Sequence, residues 1–157
     1  MYTFTPWSVE DTLEVLEWFK KDPDMVEQVD CESPAQAVHW ITWIMSSANS
    51  ALFGVRNGTD ELIGYVAATN VQADGSCHAH IGVSPEHRGK GLRVMKEGLA
   101  FAFEKLGMKM LIAAVPEGRD DVEKFDKRFG FTEPDAKILV LTRGAWEQRN
   151  GRSSPSR

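Results

Sequence analysis

The sequence predicts a single α/β domain of the α+β kind, with helices on both faces of a mixed, mostly antiparallel sheet of about six to seven strands. Three strand-like segments follow one another between residues 51 and 83 with tight turns between them, which indicates an antiparallel meander. Helical segments precede and follow this meander, so helices are available for both faces of the sheet. The chain of 157 residues has the size of one domain.

The N-terminal third is predicted to contain one strand and two helices. Residues 1–6 alternate aromatic and other side chains as a short strand does. A helix is expected from about Val9 to Lys21, where a cap serine and two acids precede apolar residues at helical spacing. Asp22-Pro23-Asp24 is expected to break it. A second helix begins at Ser33-Pro34, a cap residue followed by a proline, and should end near Ser46.

The three strands of the meander are expected at residues 51–56, 62–71 and 76–83. Asn57-Gly58 and Ala73-Asp74-Gly75 stand between them, and residues of these types favour tight turns. Each strand should therefore pair with the next in antiparallel order.

The remaining segments alternate between helix and strand. Gly89 to Leu106 places apolar residues on one helical face and is followed by a glycine that ends the helix. Met108 to Val115 is nearly all apolar, as expected of a central strand buried on both faces. A shorter helix is predicted from Asp120 to Phe129, and a final strand from Lys137 to Thr142.

Charge divides the chain into a domain and a tail. Residues 1–148 are predicted to form the domain, and residues 149–157 a flexible basic tail. The net charge is −5, and three arginines lie in the tail, so the domain itself carries −8. Nucleic acid is not an expected partner, because proteins that bind it present a basic field. An anionic ligand would need a local cluster of cations.

The amino-acid composition also gives information about the cellular compartment. Cys31 and Cys77 match no zinc-binding or CxxC spacing, which favours a reducing compartment and gives no indication of a metal. No apolar stretch is long enough to cross a membrane, and the N-terminus lacks the pattern of a secretory signal. We therefore expect a cytoplasmic protein with no membrane partner.

The most informative segment runs from Val83 to Arg93. A strand ends at Val83, and two glycines then open a long helix whose first N–H groups have no partner within the helix. Arg88, Lys90 and Arg93 add three cations within six residues. This combination predicts a site for a phosphate-bearing ligand. Neither a Walker loop nor a dinucleotide fingerprint is present.

These residues resemble the pyrophosphate-binding motif of the GCN5-related N-acetyltransferases (GNAT). Arg88-Gly89-Lys90-Gly91-Leu92 fits five of the six motif positions, and Phe129-Gly130-Phe131 resembles the Leu-Gly-Phe sequence that ends the next helix in that family. The resemblance implies a GNAT-like fold and acetyl-CoA as co-substrate. It also implies that strand 76–83 separates from strand 108–115 to admit the pantetheine arm. The residues it assigns to acetyl-CoA are Ile81, Val83, Arg88, Gly89, Lys90, Gly91, Leu92 and Arg93.

The chain departs from the family pattern at three positions. Arg93 occupies the last position of the motif, where a small residue is usual, and such a cation would either hold the diphosphate or obstruct it. Arg119 and Asp126 stand where relatives often have Asn and Tyr, the latter protonating the departing thiolate. A carboxyl group does this only if burial raises its pKa. The simpler interpretation of Asp126 is a solvated helix residue.

Histidines on strand 76–83 are candidates for the base that takes the amine proton. His78 and His80 share the face opposite Ala79 and Ile81. His80 is the first choice because it is nearer the expected strand separation, and His78 is the second. The catalytic candidates are therefore His80, His78 and Asp126. A metal pair at the two histidines ranks below plain surface histidines, because no third ligand is evident.

We predict an N-acetyltransferase that transfers acetyl to a primary amine of a small molecule, a protein lysine or an N-terminus, by direct attack. The negative domain favours a cationic acceptor, such as an amine metabolite or a basic peptide. The alternative is a catalytically inactive GNAT-like binding or assembly protein, since short phage-encoded proteins also have this fold. A homodimer is one option for the oligomeric state, which the sequence does not decide.

Overall fold

A computed structural model describes residues 1–135 and 138–151 of the chain. Seven strands and six α-helices are present in these residues. In chain order they are β1 (Thr3–Pro6), α1 (Val9–Lys21), α2 (Pro23–Gln28), α3 (Pro34–Ser46), β2 (Ala51–Arg56), β3 (Leu62–Thr69), β4 (Ser76–Val83), α4 (Gly91–Ala100), β5 (Met110–Ala114), α5 (Asp120–Arg128), β6 (Thr132–Asp135), β7 (Ile138–Thr142) and α6 (Arg143–Arg149). A 3₁₀ segment, Pro85–Lys90, precedes α4, and a π-helical segment, Phe101–Lys105, continues it.

The strands form one sheet in the order β1-β2-β3-β4-β5-β7-β6. Every neighbouring pair is antiparallel except β4 and β5, which run parallel. The predicted meander is β2-β3-β4, and the predicted fold class is confirmed. A parallel pair requires a crossover, and here α4 provides it.

Helices cover the two faces of the sheet with separate apolar clusters. On one face α1, α2 and α3 bury Val15, Phe19, Met25 and Ile41 against β2 and β3. On the other face α4 and α6 pack Leu99 and Trp146 with residues of β4, β5 and β7. Each fully buried side chain of this size contributes about 1.5–3 kcal/mol of transfer free energy.

Two helices and one strand were not predicted from the sequence. Asp22-Pro23-Asp24 ends α1 as expected, but it also starts α2, because the Asp22 side chain accepts a hydrogen bond from Asp24 N–H and a proline follows the cap. Helix α6 begins where the Thr142 hydroxyl caps it. The additional strand is β6, which pairs with β7.

The boundary of the predicted tail also differs. Arg149 is the last residue of α6, and its guanidinium donates a hydrogen bond to the carbonyl of Arg128 at the end of α5. The predicted tail from Arg152 onwards lies outside the described residues. In the described part of the chain no helix is both long and apolar enough to cross a membrane.

Candidate active site

The parallel strands β4 and β5 separate after a short paired stretch. They pair only from Ser76 opposite Met110 to His78 opposite Ile112, and β4 continues beside β3 alone to Val83. A cavity of about 380 Å³ opens at the separation. Its walls include Ala79, His80, Ile81 and Val83 of β4 and Ala113 and Ala114 of β5. This is the separation that the resemblance implied.

The backbone of β4 presents hydrogen-bonding groups to the cavity. Ser84 N–H donates to the Ile63 carbonyl at the end of the β3–β4 pair. In an antiparallel pair, residues alternate between bonding their partner and facing away, so Ile81 and Val83 direct their N–H and C=O groups toward the β5 side. Beyond the paired stretch β5 leaves these groups available. An extended amide chain, such as a pantetheine arm, fits such an edge.

The loop after β4 leads directly into the positive end of α4. Gly89 and Gly91 are bordered by open space, since a Cβ atom at either position would meet no atom within 4 Å. Lys90 is the N-cap residue of α4, and its side chain makes no capping hydrogen bond, whereas Gly91 N–H donates to the Arg88 carbonyl. The positive end of the helix dipole favours an anion here. The residues present fit a diphosphate.

Arg88 of this loop is held by carboxylates of α2 and its cap residue. Its guanidinium pairs with Asp22 and lies 3.5 Å from Asp24. Arg119, before α5, lies 2.9 Å from the other oxygen of Asp24 and forms a two-point contact with Asp121 at 3.0 Å. These ion pairs join α2 to both sides of the cavity mouth. Arg119 is thus a structural link, which the sequence did not indicate.

The other residues predicted to bind acetyl-CoA differ in their position relative to the cavity. Gly91 borders the cavity together with Arg88, whereas Lys90 and Leu92 are exposed. Arg93 turns away from the cavity, because its guanidinium donates to Glu97 at 2.7 Å and lies 4.5 Å from the centre of the Tyr2 ring. In this position Arg93 neither holds nor obstructs a diphosphate at the loop.

His80 lies on the cavity wall in an apolar setting. Its Nε2 forms a hydrogen bond of 2.9 Å with the Thr69 hydroxyl, and its ring packs edge-on against Trp40 at 5.0 Å between ring centres. Burial, with a smaller contribution from the charge of His78, lowers the pKa of His80 to about 4. The imidazole is therefore neutral at pH 7 and has a lone pair to accept a proton.

His78, the second candidate, is placed less favourably. It lies opposite Ile112, where β4 and β5 are still paired, and it does not border the cavity. The two histidines therefore differ in their position relative to the cavity. Among residues 1–135 and 138–151, no group of three or more His, Cys, Asp or Glu side chains is arranged to hold a metal ion.

Asp126 is buried at the cavity wall, which contradicts its interpretation as a solvated helix residue. Its exposure is 7%, although lysines and an arginine surround it in the sequence. No side chain of the described residues forms a hydrogen bond or ion pair with its carboxyl group. Burial raises its pKa from 3.8 to about 7. A substantial fraction of Asp126 is therefore protonated at neutral pH.

This pKa predicts a pH dependence of stability. Between about pH 4 and pH 7 the folded protein keeps a proton on Asp126 that the unfolded chain has released, so the free energy of unfolding should fall as the pH rises. The expected loss for this group is about 3 kcal/mol between pH 5 and pH 8. Urea unfolding at both pH values measures it. In the Asp126→Asn variant the decrease in the free energy of unfolding between the two pH values should be smaller by that amount. A decrease equal to that of the unmodified protein would contradict the raised pKa of Asp126.

The site also contains residues that the sequence analysis did not assign. Thr69 orients His80, and Trp40 packs against its ring. Tyr65 is fully buried beside Trp40 and lies on Gly82, where a Cβ atom would be 2.1 Å from the Tyr65 ring. Tyr65 is therefore a core residue, and the absence of a side chain at Gly82 leaves space for its ring. In the sequence, the signal for this contact was a glycine paired with an aromatic residue of the neighbouring strand.

Comparison with known proteins is consistent with this architecture. The model of the acetyltransferase (GNAT) domain family matches residues 2–132. The chain therefore belongs to the GNAT acetyltransferase family, as predicted. No curated protein sequence matches the chain significantly.

Solved structures with the same fold include spermidine N-acetyltransferases. One, from Vibrio cholerae in complex with CoA and spermine, has a TM-score of 0.75 at 16% identity and covers 92% of this chain and 97% of its own. A dodecameric structure of the enzyme from the same organism, in an intermediate state, has a TM-score of 0.70 at 17% identity and covers 98% of both chains. At these identities the likeness establishes the fold.

Proposed function

We propose that the protein transfers the acetyl group of acetyl-CoA to a primary amine by direct attack in a ternary complex. The observation that carries this proposal is the cavity at the β4–β5 separation, which brings together the glycine loop, the free backbone edge of β4, His80 and Asp126. In the reaction a C–N bond forms, the C–S bond of the thioester breaks, and a thiolate and a proton are released.

Three parts of the chain would bind and orient acetyl-CoA. The segment from Arg88 to the first turn of α4 would receive the diphosphate, in the space left open at Gly89 and Gly91 and at the positive end of the helix dipole. The backbone edge at Ile81 and Val83 would receive the pantetheine amides, and an N–H group of this edge would polarise the thioester carbonyl. Positioning of this kind supplies much of the rate in acetyl transfer.

His80 would accept the proton of the attacking nitrogen. A neutral imidazole with a pKa of about 4 is too weak to deprotonate an alkylammonium whose pKa is about 10.4. The imidazole is suited to a later step. Once the nitrogen has bonded to the thioester carbon it is cationic, and its proton is then far more acidic than that of an alkylammonium. The hydrogen bond to Thr69 holds the ring for this step. The attacking nitrogen therefore enters in its neutral form, while other nitrogens of the acceptor can stay cationic.

Asp126 would protonate the departing thiolate. It occupies the position where GNAT relatives often carry tyrosine, and its raised pKa gives it a proton to donate near neutral pH. The protonated carboxyl is neutral, so it does not repel the thiolate that forms as the C–S bond breaks. After transfer the carboxylate recovers a proton from solvent.

The His80→Ala substitution tests the first proton step. We expect kcat to fall about 100-fold, with little change in the Kd for acetyl-CoA, because the ring contributes proton transfer rather than the main coenzyme contacts. Single-turnover kinetics and calorimetry measure the two quantities. An unaltered rate would remove His80 from the mechanism. The control His78→Ala should retain the rate, since His78 lies outside the cavity.

The experiment that tests the function itself is thiol release from acetyl-CoA in the presence of amines. The panel should contain small polyamines, since a structural neighbour holds CoA and spermine, together with other primary amines and basic peptides. Amine-dependent release of CoA together with the acetylated product is expected. Binding of acetyl-CoA without turnover on any member would favour the inactive binding or assembly protein instead.

Three further properties stay predictions from the sequence. They are the identity of the amine acceptor, a cytoplasmic location and a homodimer. The negative charge of the chain supports a cationic acceptor.

A further inference from the structure

The cavity extends past the point where β4 and β5 separate. Cys77 of β4 and Leu111 of β5 are paired directly opposite each other, and both border the cavity. The two strands are joined by backbone hydrogen bonds at this pair, so a pantetheine arm that binds the free edge of β4 ends before reaching it. The cavity therefore has a part that such an arm does not fill.

We call this part the inner pocket. It lies between the sheet and the helical stretch formed by α4 and the π-helical segment. Its walls are Cys77, Leu99, Ala102, Leu106, Met108 and Leu111. All six side chains are apolar, and those of Cys77, Leu99 and Leu111 are at most 5% exposed. Burial raises the pKa of Cys77 to about 11, so its thiol is uncharged at neutral pH. Walls of this kind favour a hydrocarbon over a polar group.

The backbone beside the inner pocket departs from a regular α-helix. Leu106 N–H donates to the Phe101 carbonyl, five residues earlier, in the π-helical segment. Such segments occur frequently at functional sites. Ala102 of this segment has a small side chain that borders the cavity, so a larger residue at position 102 would occupy part of the inner pocket.

The direction of β4 leads from the glycine loop to the inner pocket. A coenzyme with its diphosphate at this loop and its arm along β4 passes Val83 and Ile81 first, and its acyl end then points toward Cys77. Ile81 and Cys77 are four residues apart, about 13 Å along a strand. An extended acyl chain of six carbons needs about 7 Å of this length.

The inner pocket and His80 lie on opposite faces of the sheet. The ring of His80 packs against Trp40 of α3, whereas Ala79 and Ile81 pack with the apolar cluster on the α4 face. This arrangement follows from the alternation of side chains along a strand. An acyl chain in the inner pocket therefore leaves the His80 side open to the amine.

We propose that the preferred donor is a medium-chain acyl-CoA, whose acyl group of about six carbons occupies the inner pocket. In the reaction the amine nitrogen bonds to the carbonyl carbon and the C–S bond breaks. His80 takes the proton that the nitrogen loses, and Asp126 gives a proton to the CoA thiolate, so the products are an N-acyl amine and CoA. This inference rests on the proposed function, because it concerns the thioester of the same ligand.

The first test is calorimetric titration of the full chain with acetyl-, butanoyl-, hexanoyl-, octanoyl- and decanoyl-CoA. Each fully buried methylene contributes about a factor of four in affinity, so the Kd for hexanoyl-CoA should be at least about tenfold lower than that for acetyl-CoA. Because the inner pocket has a limited length, decanoyl-CoA should bind no more tightly than octanoyl-CoA. Equal Kd values for acetyl- and hexanoyl-CoA would overturn the inner pocket, as would a Kd that still falls from eight to ten carbons.

The second test fills the inner pocket by the substitution Ala102→Leu. The Kd for hexanoyl-CoA should rise at least about tenfold, whereas that for acetyl-CoA should change little, because an acetyl group does not reach this wall. The control Ala145→Leu makes the same change at an exposed position of α6 and should keep the preference for hexanoyl-CoA. Thermal unfolding checks the fold of both variants. A folded Ala102→Leu protein that keeps the preference would overturn the inference, and if the variant does not fold, the chain-length series decides.

The last test separates this inference from the proposed function. With an amine that the protein acetylates, hexanoyl-CoA should give the hexanoyl amide, detected by mass spectrometry, at a lower KM than acetyl-CoA. Acetylation without hexanoylation would overturn the inner pocket as an acyl site and leave the proposed function standing. Failure of all five thioesters to bind at millimolar concentration would overturn the proposed function, and this inference with it.

Discussion

Combining Arg88→Ala with Gly91→Glu is expected to weaken CoA binding at least about 100-fold while leaving the fold intact. A Cβ atom at position 91 meets no atom within 4 Å, so we expect the domain to tolerate a side chain there. The glutamate would fill the space at the start of α4 and place a carboxylate where the diphosphate would lie. Loss of Arg88 removes a charge-assisted contact as well. Calorimetric titration with CoA and acetyl-CoA measures the effect.

The matched control makes two comparable changes elsewhere. Gly144 in α6 is also free of contacts within 4 Å of a Cβ atom, so Gly144→Glu combined with Lys105→Ala changes the net charge equally and the size similarly, away from the loop. This variant should bind CoA as the unmodified protein does. Unchanged affinity of the Arg88→Ala, Gly91→Glu variant would show that the loop is not the diphosphate site.

Replacing Asp126 with asparagine is expected to lower kcat about 100-fold, with little effect on the Kd for CoA. Asparagine has nearly the same shape but no proton to transfer to the thiolate, and general acids of this kind contribute about 10²–10⁴ in rate. Since the acid is active while protonated, kcat of the unmodified protein divided by kcat of the variant should fall as the pH rises through about 7. The ratio cancels the rise that deprotonation of the amine gives to both proteins. Rate profiles from pH 5.5 to 9 measure both effects.

The control for this variant is Asp120→Asn. Asp120 is exposed on the same helix, and neither the rate nor its pH profile should change. If Asp126→Asn retains full turnover with the same pH profile, then the thiolate takes its proton from solvent, and the buried carboxyl serves only the packing of α5.

Periodicity and turn chemistry predicted most of the fold, since both are local properties. The meander, α1 and α3 agree with this prediction, whereas the separation of β4 from β5 was expected only from the family resemblance. Helix α2 has only six residues, too few for a periodic pattern, and it forms because of its capping residue. The low pKa of His80 and the raised pKa of Asp126 depend on burial by residues distant in the chain, so spacing alone did not predict either.

Among the site residues as well, those with a local sequence pattern were predicted, and those that depend on distant contacts were not. The glycines of the loop were found because a turn into a helix leaves a local signature. The orientation of Arg93 was not, because it depends on Glu97 one turn later and on Tyr2 beside β1, far away in the chain. Thr69 was missed because its relation to His80 arises from the register of two strands.

The ion pairs of Arg88 with Asp22 and Asp24 have a consequence for the lifetime of the proposed complex with coenzyme. A diphosphate that bound Arg88 would compete with these carboxylates, so part of its attraction to Arg88 would be offset by the loss of existing contacts. The same carboxylates would pair with Arg88 again when the product leaves. The expected result is a shorter residence time, which suits a co-substrate that must be exchanged after each turnover more than a permanently held group.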